Sequence, residues 1–376
     1  MVDQKATESY AAYRELIDTL GEIADVHLGP ERDVVLEERD AIEGFRNALH
    51  LLSAGIDFYL EGDPLRPEFV KIVSPTRKFM GDNPDAIYHL ARVRGDRSYR
   101  ITGRKTDEQY ISFTIHGRSA DGRLGPAAEP VLADVNDRGL SLDDEGRFEI
   151  ILSKDEHEGG WIALPAGAAN VITRHYYESE RYPSAPHDRP IELAIESMDD
   201  AGPRPIIEDA DIATRLRDVA AFVRGGTLEG LDKSIEVPFV SREPNVLPQP
   251  MVFRMAGQEA WGAVDIAYAM APFELDTDEA LVIEGRYPPC AYASLVLWNQ
   301  HMQCFEYRDR RVSINRAQTT LEADGSFRIV LAHRDPGVPN WLDTEGHTGG
   351  TLFWRFLLPE SRPEQPTCTV IDLANP

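Results

Sequence analysis

The chain has 376 residues, 42% hydrophobic and 27% charged, with a formal net charge of −25. That length suits two ordinary cores better than one, and so acidic a surface repels phosphate backbones and anionic lipid, which argues against nucleic acid and membrane as partners. No apolar run nears the roughly 20 residues a bilayer span requires.

In chain order, the opening MVDQKATESYAAY lacks the apolar region of a secretory signal. TESYAAYRELIDTLG predicts a helix with Tyr13, Ile17 and Leu20 on its buried face and Gly21 as a stop. The next segment, LEERDAIEGFRNALHLLSAGIDFYLEG, spaces Ile42, Phe45, Leu49, Leu52, Ile56 and Tyr59 by threes and fours, the pattern of a second core-packing helix. Beyond Gly62 and Pro64 the texture becomes short strands: Tyr99–Gly103, Tyr110–Gly117, Gly146–Ser153 and Asn170–Tyr177. Helix returns in EDADIATRLRDVAAFVRGG, with Asp209 or Asp211 as its cap, Ile212, Leu216, Val219 and Val223 as its stripe, and Gly225-Gly226 as its end. The Pro-rich stretch 236–250 reads as an extended linker, and strands resume in ALVIEG, AYASLVLWN, GSFRIVLA and TLFWRFLLP. Cys290, Cys304 and Cys368, odd in number and scattered, fit reduced thiols in a cytoplasm. The basic run Arg308–Arg311 is short enough to be an ion-paired turn.

These strands repeat. Gly103-Arg104 matches Gly285-Arg286, Phe148 matches Phe327, and Trp161 matches Trp341. Tyr88 pairs with Tyr268, Asn136 with Asn315, and Arg174 with Arg355, all at a spacing of about 180 residues. Strand-rich units without interleaved helices predict a mainly β protein with added helices, built as two tandem, internally repeated antiparallel β-sandwiches of the jelly-roll kind. The expected layout is a helical segment over 1–62, sandwiches over 63–205 and 251–376, and a helix with linker over 206–250.

GDNPDAIYHLARVRGDRSYRITGR and RDPGVPNWLDTEGHTGGTLFWRFLLPE resemble the bacterial domain-of-unknown-function family 1214, which is often preceded by the related family 1254. The resemblance covers about Tyr268 to Pro359 and, more loosely, about Phe79 to Tyr177. It implies two β-sandwich domains, and neither a reaction nor catalytic residues.

Candidate chemistry concentrates in three places. In Ala332–Gly350, His333 and Asp335 lie two apart and share a face if extended, so Asp335 is the candidate orienter of a proton-transferring His333. Asn340, Trp341 and His347 complete that loop; Trp341 has a counterpart in the first copy, whereas His333 and His347 do not. The stretch Leu297–Gln318 offers Asn299, His301, Tyr307 and Arg311 in a long connection, with His301 as a second proton-transfer candidate and Tyr307 or Arg311 as oxygen or anion receptor. In the first copy, Asp82 and Asn83 suit an Asx-turn before Pro84, near Tyr88. The competing account makes these residues turn caps and buried polar ties. No nucleotide-binding, serine-elbow or zincin fingerprint is present, so neither a cofactor nor a metal is expected. The functional expectation is a cofactor-independent acid/base enzyme, lyase or hydrolase in type, acting on a small, partly apolar metabolite. The alternatives are a module binding carbohydrate or a hydrophobic ligand, and an oligomeric scaffold; a homo-oligomer suits either.

Overall fold

Among the described residues, each copy of the repeat forms nine strands in the same spatial order. The computed structural model describes residues 4–29, 38–183, 189–229, 237–252 and 261–373. Two helices open the chain, α1 (Glu8–Glu22) and α2 (Glu38–Gly55). The first half then contributes β1 (Val70–Lys71), β2 (Ala86–Arg92), β3 (Tyr99–Arg104), β4 (Tyr110–Gly117), β5 (Val131–Asn136), β6 (Arg147–Ser153), β7 (Trp161–Ala163), β8 (Ala168–Tyr176) and β9 (Leu193–Ser197). After α3 (Asp209–Gly225), the second half supplies β10 (Met251–Val252), β11 (Ile266–Glu274), β12 (Glu279–Gly285), β13 (Tyr292–Trp298) and β14 (Ser313–Asn315). It ends with β15 (Phe327–Ala332), β16 (Trp341–Asp343), β17 (Gly349–Leu357) and β18 (Thr367–Asp372).

The sheets run β1-β2-β8-β4-β5 and β7-β6-β3-β9 in the first half, and β10-β11-β17-β13-β14 and β16-β15-β12-β18 in the second. All strand pairings are antiparallel except the short β6–β7 and β15–β16 pairs, which each matched Trp opens. The repeat holds at single-residue register. Gly103 faces Phe148 and Gly285 faces Phe327 across their ladders. A Cβ on either glycine would come within 2.5 or 2.7 Å of the partner's ring, so only glycine lets the ring lie flat there. The turns entering β6 and β15 place Gly146 and Gly325 at φ +80° and +82°, the left-handed region that suits glycine.

Within each half the two sheets pack face to face. Ile101, Phe113, Ile150 and Val171 meet in one core; Leu281, Leu295, Ile329 and Trp354 meet in the other. Strands β4, β8 and β13 are buried along their whole length, because the outer face of each larger sheet is covered as well. That is why they read as continuous apolar and aromatic runs rather than alternating ones.

The helices correct one expectation. Ile42, Phe45 and Leu49 are 62%, 51% and 59% exposed, and Tyr13 and Ile17 also face outward. Helix α2 instead buries Gly44, Ala48, Leu51 and Ala54. Its small residues let it approach closely: a Cβ on Gly44 would meet the His301 ring at 2.8 Å. Close approach of a thin face thus overrides the wider stripe, although Leu52, Ile56 and Tyr59 do pack inward with Val219 and Phe222 of α3. Asp209 is the first residue of α3, yet its carboxylate accepts from the Glu8 and Ser9 amides and caps α1. Cys290, Cys304 and Cys368 are free thiols, and no described helix is long and apolar enough to cross a membrane.

Candidate functional site

The two halves are joined by a reciprocal clasp. Asp85 accepts from the Tyr292 hydroxyl at 2.8 Å and from Asn315 Nδ2 at 3.0 Å. At the matched positions Asp265 accepts from the Tyr110 hydroxyl at 3.1 Å and from Asn136 Nδ2 at 2.7 Å. Each half thus offers an aspartate to the tyrosine and asparagine of the other. Between them Ala86, Tyr110, Tyr176, Ile266, Tyr292 and Leu357 form an apolar seam.

Beside this seam lies a cavity of about 250 Å³, walled by both halves and by the linker. Tyr88, Arg174 and Tyr176 face it from β2 and β8; Tyr268, Phe353 and Arg355 face it from β11 and β17. These are the residues alternate to the ones buried in the sandwich cores, so one ladder serves both. Register places Tyr88 opposite Arg174 and Tyr268 opposite Arg355, the same pair in each copy. Trp298, Trp261, and Phe239 and Val240 of the Pro-rich stretch add to the wall. That stretch is held by Ser241 N–H donating to Met270 O and Met270 N–H to Phe239 O. It is therefore part of the wall as well as a connection. Trp261 is fixed from behind: its Nε1 donates to Glu129, which is fully buried and also receives Tyr59 and Asn170.

The cavity also concentrates backbone strain. Met80 and Met302, both in its wall, adopt φ +46° and +55°, values that non-glycine residues rarely take. They are tied together by Gly81 N–H donating to Met302 O at 2.8 Å. Such conformations cluster at binding and catalytic sites. Next to them Asp82 is buried; its Oδ1 accepts from Cys304 N–H at 2.8 Å and its carbonyl from Trp298 Nε1 at 2.9 Å. Burial pushes the Asp82 carboxyl up to about 6 against the pull of Lys78, the Cys304 amide and Arg355.

The other residues singled out in the sequence sit elsewhere. His333 bonds Thr344 Oγ1 at 2.7 Å and Leu275 O at 3.2 Å, while Asp335 is exposed and caps the Gly337 amide. The two are not paired, because the chain turns out of extended conformation at the end of β15. Asn340 bonds Thr320 and Arg328 and clamps a turn. Trp341 is half-buried and donates to Ala332 O, and Arg311 donates to Pro339 O. Tyr307 is buried beneath the Lys78 ammonium, 4.5 Å from its ring centre. Asn83 donates to Tyr292 and belongs to the clasp.

Asn299, His301 and His347 do converge, on helix α2. His347 stacks on Phe305 and its Nε2 lies 3.0 Å from Glu43, which Asn299 also bonds at 2.7 Å. His301 Nε2 bonds the Asp40 carbonyl at 2.7 Å. Ligand-capable atoms of Asp40, Glu43 and His347 lie within 4.8 Å of one another. Glu43, however, is already engaged by His347, Asn299 and Arg39, which describes a tie between helix and sandwich. Of the candidates, then, Asp82 and Tyr88 reach the cavity. Sequence reasoning missed Arg174, Arg355, Tyr268 and Trp298 as cavity residues; the first three carried a signal, since each belongs to a pair matched across the repeat, whereas Trp298 corresponds to His116 in the first copy and carried none.

A family model described as "Protein of unknown function (DUF1214)" matches twice, over residues 89–180 and 271–361. The chain is a DUF1214 protein. Both matches are to one model, so the first half is a second copy of the domain, and the matched segments contain Arg174 and Arg355 at corresponding places. An uncharacterized protein from Burkholderia cenocepacia is similar over 97% of both chains, with 27% identity and a TM-score of 0.80. The VPA0106 protein from Vibrio parahaemolyticus shares the fold at 12% identity and a TM-score of 0.51, over 87% of this chain and 98% of its own. No curated protein matches this DUF1214 chain.

Proposed function

We propose that this DUF1214 protein binds a small, largely apolar organic molecule in the cavity between its two halves. The observation that carries this is one convergence: aromatic walls from both sandwiches, the linker and two strained methionines around about 250 Å³. Small-molecule sites have this character, apolar walls with a few placed polar groups, commonly where two units meet. A groove of about 1060 Å³ along β3, β6 and β9 is larger but open, and it includes the exposed Asp143 and Glu149. The scattered free cysteines fit a reducing compartment.

A second reading, acid/base turnover in the same cavity, is favoured by Asp82. A carboxyl held at about 6 in the wall exchanges its proton near neutral pH, the role the sequence had placed on His333 or His301. The test of binding is titration of indole, a neutral apolar probe, followed by calorimetry on the wild type and on Val240→Trp, which fills the cavity from the linker. Indole should bind the wild type and not the variant. Equal binding to both would remove the cavity from consideration.

A further inference from the structure

Arg174 and Arg355 are 2% and 4% exposed. Arg174 donates to Thr114 Oγ1 at 2.6 Å and to the Trp261 carbonyl at 2.9 Å. Arg355 donates through Nη2 to the Gly81 carbonyl at 2.8 Å, and its guanidinium lies over Phe353 and Trp298, 4.4 and 5.1 Å from their centres. Nη1 of Arg355 is buried and has no hydrogen-bond partner among the described residues. Neither arginine forms an ion pair with a described carboxylate, whereas most other arginines of the chain do. Burying a guanidinium without a counter-ion is costly, and ring faces and carbonyls offset only part of the loss. Two such cations sit in the wall of one cavity in a protein of net charge −25. Among the described residues, Asp82 is the only acidic one in that wall.

Resting on the reading of the cavity as a ligand site, we infer that its ligand is an organic anion: a carboxylate head held by Arg355, with Arg174 adding charge, on an aromatic or alicyclic body. Arg355 is the better receptor of the two, because Arg174 already has both terminal nitrogens engaged. A benzene-sized cavity takes roughly 150 Å³, so about 250 Å³ leaves room for a ring and a two- to three-carbon tail ending in the carboxylate. The apolar walls hold the ring, and the guanidinium fixes the head.

The probes are 3-phenylpropionate and its neutral counterpart 3-phenylpropanol, titrated by calorimetry into the wild type, Arg355→Lys and Arg355→Met. The wild type should bind the carboxylate at least tenfold more tightly than the alcohol. Arg355→Met should lose that preference and retain the alcohol, and Arg355→Lys should keep part of it. Without ligand, Arg355→Met should melt close to the wild type, since the lost bond to the Gly81 carbonyl is offset by removal of a buried charge that has no carboxylate partner. Equal affinity for both probes would overturn the anion inference and leave the apolar site standing. Failure of both probes and of indole would overturn the site itself. A melting temperature of Arg355→Met far below the wild type would show the arginine to be a structural strut, and would also overturn the inference.

Discussion

The two halves share their ladders residue for residue, yet they treat matched positions differently. His116 and Trp298 occupy the same place on β4 and β13, four residues beyond Ser112 and Ser294, which face Arg174 and Arg355. Trp298 stacks on Phe353 at 4.3 Å, shields Arg355 and walls the cavity. His116 is equally buried but smaller; its Nε2 has no partner among the described residues, and burial, aided by Arg174, pushes its ring down to about 3. The two halves therefore place two arginines at equivalent positions, and the residue at one strand position gives them unequal surroundings.

The sharpest way to break this comparison is to truncate both positions. Trp298→Ala removes a fully buried indole and should cost about 3–5 kcal/mol. His116→Ala deletes a smaller neutral ring that leaves one nitrogen unpaired, and should cost about 1–2 kcal/mol. Denaturant unfolding of the two variants measures both. Equal costs would mean that the halves are energetically interchangeable here and that Trp298 has no special relation to the cavity.

The clasp sharpens it further. Asp85 is fully buried, whereas Asp265 is half-exposed. Asp85→Ala strands Tyr292 and Asn315 away from water and should cost about 2–3 kcal/mol; water can replace the carboxylate in Asp265→Ala, which should cost about 1 kcal/mol. The Asp85 carboxyl is pushed up to about 7, burial outweighing the bonds from Tyr292 and Asn315 that pull it down. A carboxyl raised on folding holds its proton more tightly in the folded chain. Its contribution to stability is complete below the ordinary aspartate value of 3.8 and is lost as pH climbs through about 7. Asp85→Asn has nothing to lose over that range. The stability of the wild type relative to Asp85→Asn should therefore decline from about pH 4 to pH 8. A flat difference curve would place the aspartate in contact with solvent and undo the asymmetry of the clasp.

Much of this architecture was legible in the sequence, for identifiable reasons. Glycine under a cross-strand phenylalanine, an acidic-Gly turn and a Trp opening a short strand are local requirements, so they recur wherever the unit recurs. The helix faces were not legible, because hydrophobic period cannot tell the large-residue stripe of α2 from the thin Gly44–Ala48 face that approaches His301. The cavity was hidden for a different reason. The repeat spacing links β2 to β11 and β8 to β17, but no spacing joins these strands to the linker and the two Met-bearing turns that complete the wall. A residue kept in both copies of a repeat reads first as a residue of the fold, and Arg174 and Arg355 are such a pair. In the structure they are fold residues on one strand position and cavity residues by the company that position keeps.

The smallest effects are expected in the loop Ala332–Gly350. Trp341 is half-buried and its indole is held by a single bond to Ala332 O, so Trp341→Ala should cost about 1–2 kcal/mol, below the range for a fully buried ring. His333 is partly exposed and bridges Thr344 to Leu275; solvent can reach those partners once the ring is gone, and His333→Ala should cost about 1 kcal/mol or less. Neither residue lines the cavity, so neither substitution should change indole or 3-phenylpropionate affinity. Thermal melts and the same titrations decide this together. A His333→Ala variant that folds normally but loses the ligand would return the site to the loop, and with it the unmatched histidines of the second half. A variant that melts as badly as Trp298→Ala would instead make His333 a strut between β15 and the turn before β12.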